Sequence, residues 1–317
     1  MKKFSKPYRK GYLDVGEGHS LYYECCGNQK GLPVLFLHGG PGYGFGSRSK
    51  DFFELNKCNL VLFDQRGAGR SKPFASTQAN TTGRLVKDIN KLLDFLNFKK
   101  VFLFGGSWGS TLALMYAIKN PKRVMGMLLR GIYTATKKEN DFYVNDVKLF
   151  FPEDYPRFIS LVPQKYRGNP LKYYTKRMAN GSKKIRQKYA FAWARYEHSI
   201  LKLVPEDIKK IEEETKKSNY LSLGVLETYY LSNGCFIPND YIIKNAGKIK
   251  VPVSIVQGRY DMVCPPITAW KIHRAIKNSR LQLTISGHSS SDPETSQALR
   301  KEMKRFCNLY QKKKQLK

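Results

Sequence analysis

The segment VFLFGGSWGSTLALMYA, residues 101–117, constrains the fold more than any other part of this sequence. An apolar run leads into GGSWG at residues 105–109, and a helix-forming run follows. Glycines two positions before and after Ser107 remove side chains that would clash in a tight turn between a strand and a helix. We therefore predict a nucleophilic Ser107 exposed at the end of a sheet. The flanking strand and helix favour this interpretation over a simple glycine-rich turn.

Several other apolar runs resemble the strand that precedes Ser107. The clearest are PVLFLHGG (33–40), NLVLFDQRG (59–67) and VMGMLLRG (124–131), while residues 82–98 have the apolar spacing of a helix. Residues 11–27 predict two antiparallel strands joined by a turn at 16–18. Near-continuous apolar strands that alternate with helices indicate an α/β fold with a mostly parallel sheet.

The pattern changes at residue 136 and returns at residue 246. Between these points the chain is rich in Lys, Tyr and Glu, and helical spacing replaces the apolar strands. We predict an α/β core formed by residues 1–135 and 246–317, with residues 136–245 inserted as a helical cap. The predicted cap helices lie in 140–150, 185–203 and 205–232, and the predicted later core elements are a strand at 248–258, a helix at 265–276, a strand at 280–286 and a helix at 292–311.

A serine nucleophile needs a base, and the sequence contains five histidines. In hydrolases with this serine turn, the acid and then the histidine follow the nucleophile along the chain. His288 follows the apolar run RLQLTIS in a Gly-His-Ser loop, and Asp261 follows VSIVQG. We predict a triad of Ser107, Asp261 and His288. Asp64 precedes the serine and is interpreted as a loop residue, and the remaining histidines precede the serine or lie in the cap or a helix: His19, His38, His198 and His273.

Two backbone amides should stabilise the oxyanion that forms when a serine attacks a carbonyl. One is the amide of Trp108, which follows the nucleophile. The other is expected from the loop HGGPG at residues 38–42, whose glycines allow the backbone to approach the substrate. We predict Gly40 as that donor.

The chain is strongly basic, with 56 Lys and Arg against 25 Asp and Glu and a net charge of +31. Such a charge can indicate a binder of nucleic acid or of anionic membranes. The charge is spread along a generally lysine-rich chain, which favours a compositional origin and predicts no specific nucleic-acid partner. No apolar run reaches the roughly 18 residues of a membrane span.

The cysteines and the amino terminus indicate a reducing compartment. The six cysteines form no C-x-x-C pair and no zinc-ligand spacing, and the start MKKFSKPYRKGY lacks the apolar core of a signal peptide. We predict a cytoplasmic protein with no metal or organic cofactor. Cys264 is either a thiol that reacts near the site or a buried small side chain, and the sequence does not separate the two.

Taken together, the motifs resemble the proline iminopeptidases, serine peptidases of the S33 type with the α/β-hydrolase fold. The resemblance runs in order from about Gly11 to the C-terminus. It implies the α/β-hydrolase fold and the release of N-terminal proline from peptides. Its motifs are HGGPG (38–42), DQRGAGRS (64–71), GGSWGSTLALMYA (105–117), LLRGIY (128–133), GRYDMVCP (258–265) and SGHS (286–289).

The resemblance also implies how the free amino group of the substrate is held. Members of that family use glutamates on the cap, and the matching positions here are Glu197 and Glu227. Two carboxylates suit a prolyl ammonium, which carries one charge and two N–H bonds. The family pattern places Tyr133 and Tyr143 in the pocket for the proline ring, together with Leu231, where the family usually has Phe.

Two other classes of function remain open from the sequence. One is another serine hydrolase on the same core, such as an esterase, lactonase or amidase, which would not need the two glutamates. The other is a basic protein that binds anionic polymers without catalysis, which would not need Ser107.

Overall fold

The computed structural model describes residues 5–315, so the outermost residues of the predicted core segments, 1–4 and 316–317, lie outside it. The described strands form one eight-stranded sheet in the order β1-β2-β4-β3-β5-β6-β7-β8. The strands are β1 (Arg9–Gly16), β2 (His19–Gly27), β3 (Leu32–Leu37), β4 (Cys58–Phe63), β5 (Val101–Ser107), β6 (Val124–Ile132), β7 (Val253–Gly258) and β8 (Ser279–Thr284).

The sheet is mostly parallel, as the apolar runs predict. Strands β1 and β2 form the predicted antiparallel pair, and β2 is antiparallel to β4. The six strands from β3 to β8 are parallel to one another. Every residue of β4 and β7 is buried, because helices cover both faces of the sheet. The fold class is therefore confirmed.

The helices fall into those that follow core strands and those between β6 and β7. The core helices are α1 (Thr82–Phe95), α2 (Trp108–Lys119), α10 (Pro266–Ala275) and α11 (Pro293–Gln315). The helices between β6 and β7 are α3 (Lys137–Asp141), α4 (Tyr155–Ile159), α5 (Pro170–Asn180), α6 (Lys183–Ile200), α7 (Ile208–Lys217), α8 (Tyr220–Ser232) and α9 (Tyr241–Asn245).

The segment between β6 and β7 contains no strand among the described residues. Helices α6, α7 and α8 occupy the regions with predicted helical spacing, and α3 continues into a π-helical turn at Phe142–Asp146. Helices α4 and α5 lie where no helix was predicted. The boundaries of a cap at 136–245 remain a prediction, since the geometry alone does not assign a separate domain.

Helices α6 and α8 approach each other closely where small residues face across the contact. A Cβ atom added to Gly224 of α8 would lie 2.7 Å from the Cα atom of Ala190 in α6. This close approach brings the two helix backbones together. Side chains that follow Ala190 by one or two turns of α6 therefore pack against side chains of α8. Glu197 and Glu227 are among these side chains.

Candidate active site

Ser107 lies on the turn that the sequence predicts between a strand and a helix. It ends β5 and precedes α2 with φ of +57° and ψ of −130°, a conformation that residues with a side chain rarely adopt. The glycines around it allow backbone to pack on backbone. A Cβ atom on Gly105 would lie 2.3 Å from the carbonyl oxygen of Gly109, and one on Gly109 would lie 2.0 Å from that of Leu37. Only glycine fits at either position.

Asp261 and His288 lie together where two further strands end. The Nδ1 atom of His288 is 2.8 Å from Oδ2 and 3.0 Å from Oδ1 of Asp261. The imidazole lies against Gly131, where an added Cβ atom would be 2.9 Å from its Cε1 atom. Strands β5 and β6 pair Ser107 with Ile132, the residue after Gly131, so the histidine lies at the same end of the sheet as the serine.

Asp261 is anchored by hydrogen bonds that orient its carboxylate. The Oδ1 atom accepts the amides of Val263 at 3.0 Å and Cys264 at 2.7 Å, and Oδ2 accepts the side-chain amide of Gln257 at 2.9 Å. Burial lowers the pKa of His288, and the charge of Asp261 opposes that effect. A neutral imidazole with an oriented carboxylate on Nδ1 is the arrangement that a general base requires.

The loop of His288 is also held by its own backbone. The carbonyl oxygen of His288 accepts a hydrogen bond from Nη1 of Arg130 at 2.7 Å. The guanidinium also lies under the serine turn, because a Cβ atom on Gly106 would meet Arg130 at 2.7 Å. Arg130 thus contacts the segments of both the serine and the histidine. Sequence reasoning did not select it, although it lies in LLRGIY.

A chain of hydrogen bonds connects Trp108 with the loop after β3. The buried indole of Trp108 donates to Oε1 of Gln65 at 2.8 Å, and the side-chain amide of Gln65 donates to the carbonyl of His38 at 3.0 Å. The amide of Gln65 in turn donates to Nε2 of His38 at 2.9 Å. The segment that supplies one predicted oxyanion donor is therefore held against the segment that supplies the other.

Within that loop, Gly39 lies against the serine. A Cβ atom on Gly39 would lie 3.4 Å from Cβ and 4.0 Å from Oγ of Ser107. A Cβ atom on Gly40 would instead point toward Gly42, Tyr43 and Leu223. The loop therefore lies beside the serine turn, and Gly40 stays the predicted amide donor.

Asp64, the alternative acid, holds the loops around it. Its carboxylate accepts the amide of Phe45 at 2.8 Å and the amide and Nε of Arg70 at 2.9 and 2.8 Å. No contact between Asp64 and a histidine ring nitrogen is found among the described residues. The geometry agrees with a structural role in its loop.

Glu197 and Glu227 form a buried carboxylate pair between α6 and α8. The two carboxyl groups lie close enough to shift each other's pKa, and the indole nitrogen of Trp193 donates to Oε2 of Glu227 at 2.7 Å. Burial raises the pKa of Glu197 to about 7. Burial, and then the adjacent charge of Glu197, raises the pKa of Glu227 well above its usual value. Near neutral pH the pair therefore holds at least one proton.

Two polar atoms beside this pair are left without partners. Among the described residues, Oε2 of Glu197 and the hydroxyl of Tyr143 are buried and accept or donate no hydrogen bond. Buried polar atoms usually find a partner, so a ligand that donates hydrogen bonds to this carboxylate pair would supply what these atoms lack. Sequence reasoning selected both residues, but it missed Trp193 as the donor that orients Glu227.

The predicted pocket residues differ in what they contact. Tyr143 lies 6.0 Å from Trp193 and 6.4 Å from Tyr196, measured between ring centroids, so it forms part of the wall around the carboxylate pair. Tyr133 is buried and its hydroxyl donates to Asn140 at 2.5 Å. Leu231 is buried in the same apolar cluster.

Cys264 is buried beside Asp261 and contacts Ser107. Burial raises the pKa of its thiol well above the usual value, and Ser107 is within hydrogen-bonding reach of the thiol. A thiolate is therefore scarce near neutral pH, which favours a small buried side chain over a reactive thiol.

Residues 5–315 contain no group of three or more His, Cys, Asp or Glu side chains arranged to hold a metal ion. In the same range, none of the helices combines the length and the apolar character needed to cross a membrane.

The sheet, the serine turn and the Asp–His pair at its edge define a hydrolase of the α/β-hydrolase class. Residues 33–295 match the family model described as the alpha/beta hydrolase fold. The thermophilic esterase of Thermogutta terrifontis shares the fold at a TM-score of 0.67 and 17% identity, covering 95% of this chain and 98% of that one. The solved proline iminopeptidase of Mycobacterium smegmatis shares the fold at a TM-score of 0.63 and 16% identity, and the match covers 95% of this chain and 98% of that one.

Sequence similarity identifies the family within the α/β-hydrolase class. The chain is 40% identical over 301 residues to the proline iminopeptidase of Arabidopsis thaliana, and the alignment covers 93% of this chain and 78% of that protein. It is 37% identical over 304 residues to the proline iminopeptidase of Neisseria meningitidis serogroup B, and this alignment covers 94% of this chain and 96% of that protein. The chain therefore belongs to the proline iminopeptidase family.

Proposed function

We propose that this enzyme releases an N-terminal proline from peptides through an acyl-enzyme. The observation that carries the proposal is the buried pair of Glu197 and Glu227, with Oε2 of Glu197 unpartnered among the described residues. An ammonium group bound there replaces the shared proton and supplies the missing hydrogen bonds. An acylated nitrogen lacks that charge, so the pair selects peptides with a free amino end.

In this mechanism Ser107 attacks the carbonyl carbon of the proline, and His288 takes the serine proton on Nε2. Asp261 holds Nδ1–H and stabilises the imidazolium that forms. The oxyanion is stabilised by the amide of Trp108 and by a second amide in the Gly39–Gly40 segment. Gly40 is the proposed second donor, and its neighbour Gly39 lies against Ser107.

The first half of the reaction ends when His288 protonates the amine of the departing peptide and the proline remains as an ester on Ser107. In the second half, water attacks the ester while His288 removes its proton, and His288 then returns that proton to Oγ of Ser107 as free proline leaves. Side chains, backbone amides and water perform these steps, so the proposal includes no metal and no organic cofactor.

The ring of the proline is proposed to lie between the carboxylate pair and aromatic walls that include Tyr143 and Tyr133. Flat aromatic faces suit an apolar ring. Leu231, where the family usually has Phe, is proposed to widen this pocket. Peptides are the proposed partners, and a cytoplasmic site of action is supported by six cysteines that are all free and buried.

The test compares three substrates: proline β-naphthylamide, its N-acetylated form and p-nitrophenyl acetate. We expect rapid release from the free-amine substrate alone and no turnover by Ser107→Ala. Glu197→Gln and Glu227→Gln should raise KM for the free-amine substrate by about 10–100-fold, because a buried ammonium loses a charged partner.

Glu213→Gln is the matched control, because Glu213 is an exposed glutamate of α7 in the same segment. It should leave all three rates unchanged. Equal or faster turnover of the acetylated substrate or the ester would instead indicate an esterase or amidase. Full activity in Ser107→Ala would refute the serine mechanism.

A further inference from the structure

The loop that carries His288 has three consecutive backbone amides bound to fixed acceptors. The amide of Gly287 donates to Oδ2 of Asp292 at 2.7 Å. The amides of His288 and Ser289 both donate to the carbonyl oxygen of Leu201, at 2.7 and 2.9 Å. The position of the imidazole therefore depends on Asp292 and on a residue just beyond α6.

Asp292 also reaches that same segment beyond α6. Its Oδ2 atom, which accepts the amide of Gly287, lies 3.4 Å from the amide nitrogen of Leu203. The two segments are in close contact, because a Cβ atom on Gly287 would lie 2.7 Å from the nitrogen of Leu203. One carboxylate oxygen thus joins the histidine loop to residues 201–203.

The position of Asp292 in the chain makes it a firm anchor. It is 7% exposed and directly precedes Pro293, where α11 begins. Its carbonyl oxygen accepts the amide of Ser296 at 2.9 Å, which fixes its backbone at the start of the helix. The carboxylate, however, turns back toward Gly287.

The segment that Asp292 reaches continues directly from the helix of the carboxylate pair. Leu201 follows the last residue of α6, and Glu197 lies four residues earlier, about one helical turn. Asp292 and Leu201 therefore connect the binding site for the substrate amine with the general base. In this connection, backbone amides donate to the carboxylate of Asp292 and to the carbonyl oxygen of Leu201.

We propose that Asp292 is a positioning residue for His288. By holding Gly287 and Leu203 with one oxygen, it fixes the histidine loop against the segment after α6 and keeps Nε2 of His288 aligned with Ser107. The proposal rests on the proposed function only in taking Ser107 and His288 as the reacting pair. A displacement of about 1 Å at such a pair can reduce the rate by about 100-fold.

The charge of Asp292 supplies a second measurable effect. The charged groups that act on His288 are Asp261, Arg130 and Asp292, and Asp292 opposes the lowering of the His288 pKa by burial. Removing its charge should lower that pKa further. The acid limb of the pH–rate profile should then move to lower pH, which a purely structural role would not produce.

The test uses Asp292→Asn, which is close in shape and keeps an oxygen for the amide of Gly287. We expect kcat for proline β-naphthylamide to fall about 10-fold with KM changed less than about 2-fold, because the carboxylate pair is intact. Labelling of Ser107 by a fluorophosphonate should slow by a similar factor. The acid limb of kcat/KM should move to lower pH.

Glu294→Gln is the matched control, because Glu294 lies two residues further on, is exposed, and accepts the amide of Ile285 at 2.8 Å. It should change neither rate. Thermal unfolding and titration of the active fraction separate misfolding from misalignment in Asp292→Asn. Unchanged labelling and kcat, or a loss explained by the active fraction with an unmoved pH profile, would overturn the proposal.

Labelling also separates this proposal from the proposed function. A wild-type protein that labels at Ser107 but releases no proline would refute the proposed substrate. The effect of Asp292→Asn on labelling would still decide the positioning role.

Discussion

At the scale of single residues, Glu197 and Glu227 show how burial changes the chemistry of an ordinary side chain. An exposed glutamate is charged at neutral pH, whereas burial raises the pKa of Glu197 to about 7. The free enzyme therefore holds a proton where the substrate ammonium is proposed to bind. Binding and titration compete for the same oxygens, which makes affinity depend on pH.

This competition predicts that KM for proline β-naphthylamide falls as the pH rises through about 7. Below that pH both carboxyl groups are protonated and accept an ammonium poorly, and above it Glu197 carries the negative charge that the ammonium needs. The substrate amine must itself stay protonated, so the comparison is restricted to pH values below about 8. The measurement is KM from pH 5.5 to 7.5.

Glu197→Gln should give a higher KM that is less dependent on pH, because the titrating group has gone. Glu213→Gln should reproduce the wild-type curve. A KM independent of pH in the wild type would contradict a titrating carboxylate pair in the binding site.

The same raised pKa has a consequence for stability. Because the folded state binds a proton more tightly than the unfolded state, the contribution of Glu197 is present below its unfolded pKa and is lost as the pH rises through about 7. Glu197→Gln removes this loss. We expect its free energy of unfolding at pH 8 to exceed that of the wild type by about 2 kcal/mol.

Urea unfolding at pH 5 and pH 8 checks this expectation. The gain should be present at pH 8 and small at pH 5, where Glu197 is already neutral. A variant less stable than the wild type at pH 8 would show that the carboxylate stabilises the fold instead of serving the site.

At the scale of elements, the turn from β5 to α2 depends on the absence of side chains. A Cβ atom on Gly105 would lie 2.3 Å from a backbone oxygen, whereas one on Gly83 of α1 would meet no atom within 4 Å. We therefore predict that Gly105→Ala destabilises the protein strongly, by several degrees in Tm, and abolishes activity. Gly83→Ala should raise Tm slightly, because alanine favours a helix by up to about 1 kcal/mol.

Thermal unfolding followed by circular dichroism, with hydrolysis assays on both proteins, compares the two substitutions. If Gly105→Ala and Gly83→Ala changed Tm and activity equally, the serine turn would tolerate a side chain, and the close packing of Gly105 on Gly109 would not constrain it.

The elements that the sequence predicted are those with an unambiguous period. The apolar runs of β3 to β7 could be read because they are buried on both faces. Helix α5 was missed, although Asn169 accepts the amide of Lys172 as an N-cap and Pro170 follows. Few of its side chains are buried and its exposed face is basic, so the sequence shows too few apolar residues to reveal a helical spacing. The turn at Phe142–Asp146 departs from α-helical spacing and could not be predicted from a regular pattern.

The site was predictable to the extent that chain order and local motifs determine it. Ser107, Asp261 and His288 follow from the order of elements and from where strands end. Arg130, Leu201 and Asp292 do not, because their partners lie far away in the sequence and are brought near only by the fold.

At the scale of the whole molecule, the net charge of +31 opposes compaction. Residues 155–196 form a long stretch without acids, with eleven Lys and Arg and no Asp or Glu. Only Arg157 and Arg195 in this range form ion pairs among the described residues, with Asp154 and Glu212 outside it. Helices α4 to α6 therefore carry largely uncompensated positive charge.

This imbalance predicts that Tm rises with ionic strength, because salt screens repulsion over a Debye length that falls from roughly 30 Å at 0.01 M to 10 Å at 0.1 M.

Lys184 and Lys210 provide a matched pair for locating the effect, since both are exposed. Lys184 lies in the acid-free range, whereas Lys210 pairs with Glu206. Lys184→Glu should raise Tm at low salt and reduce its salt dependence, while Lys210→Glu, with the same change in net charge, should lower Tm by breaking its ion pair. Calorimetry at 10, 100 and 300 mM NaCl measures these effects. A Tm that falls with salt would show that favourable ion pairs outweigh the repulsion. Equal gains from both substitutions would show that the repulsion is spread over the whole chain and is not concentrated in helices α4 to α6.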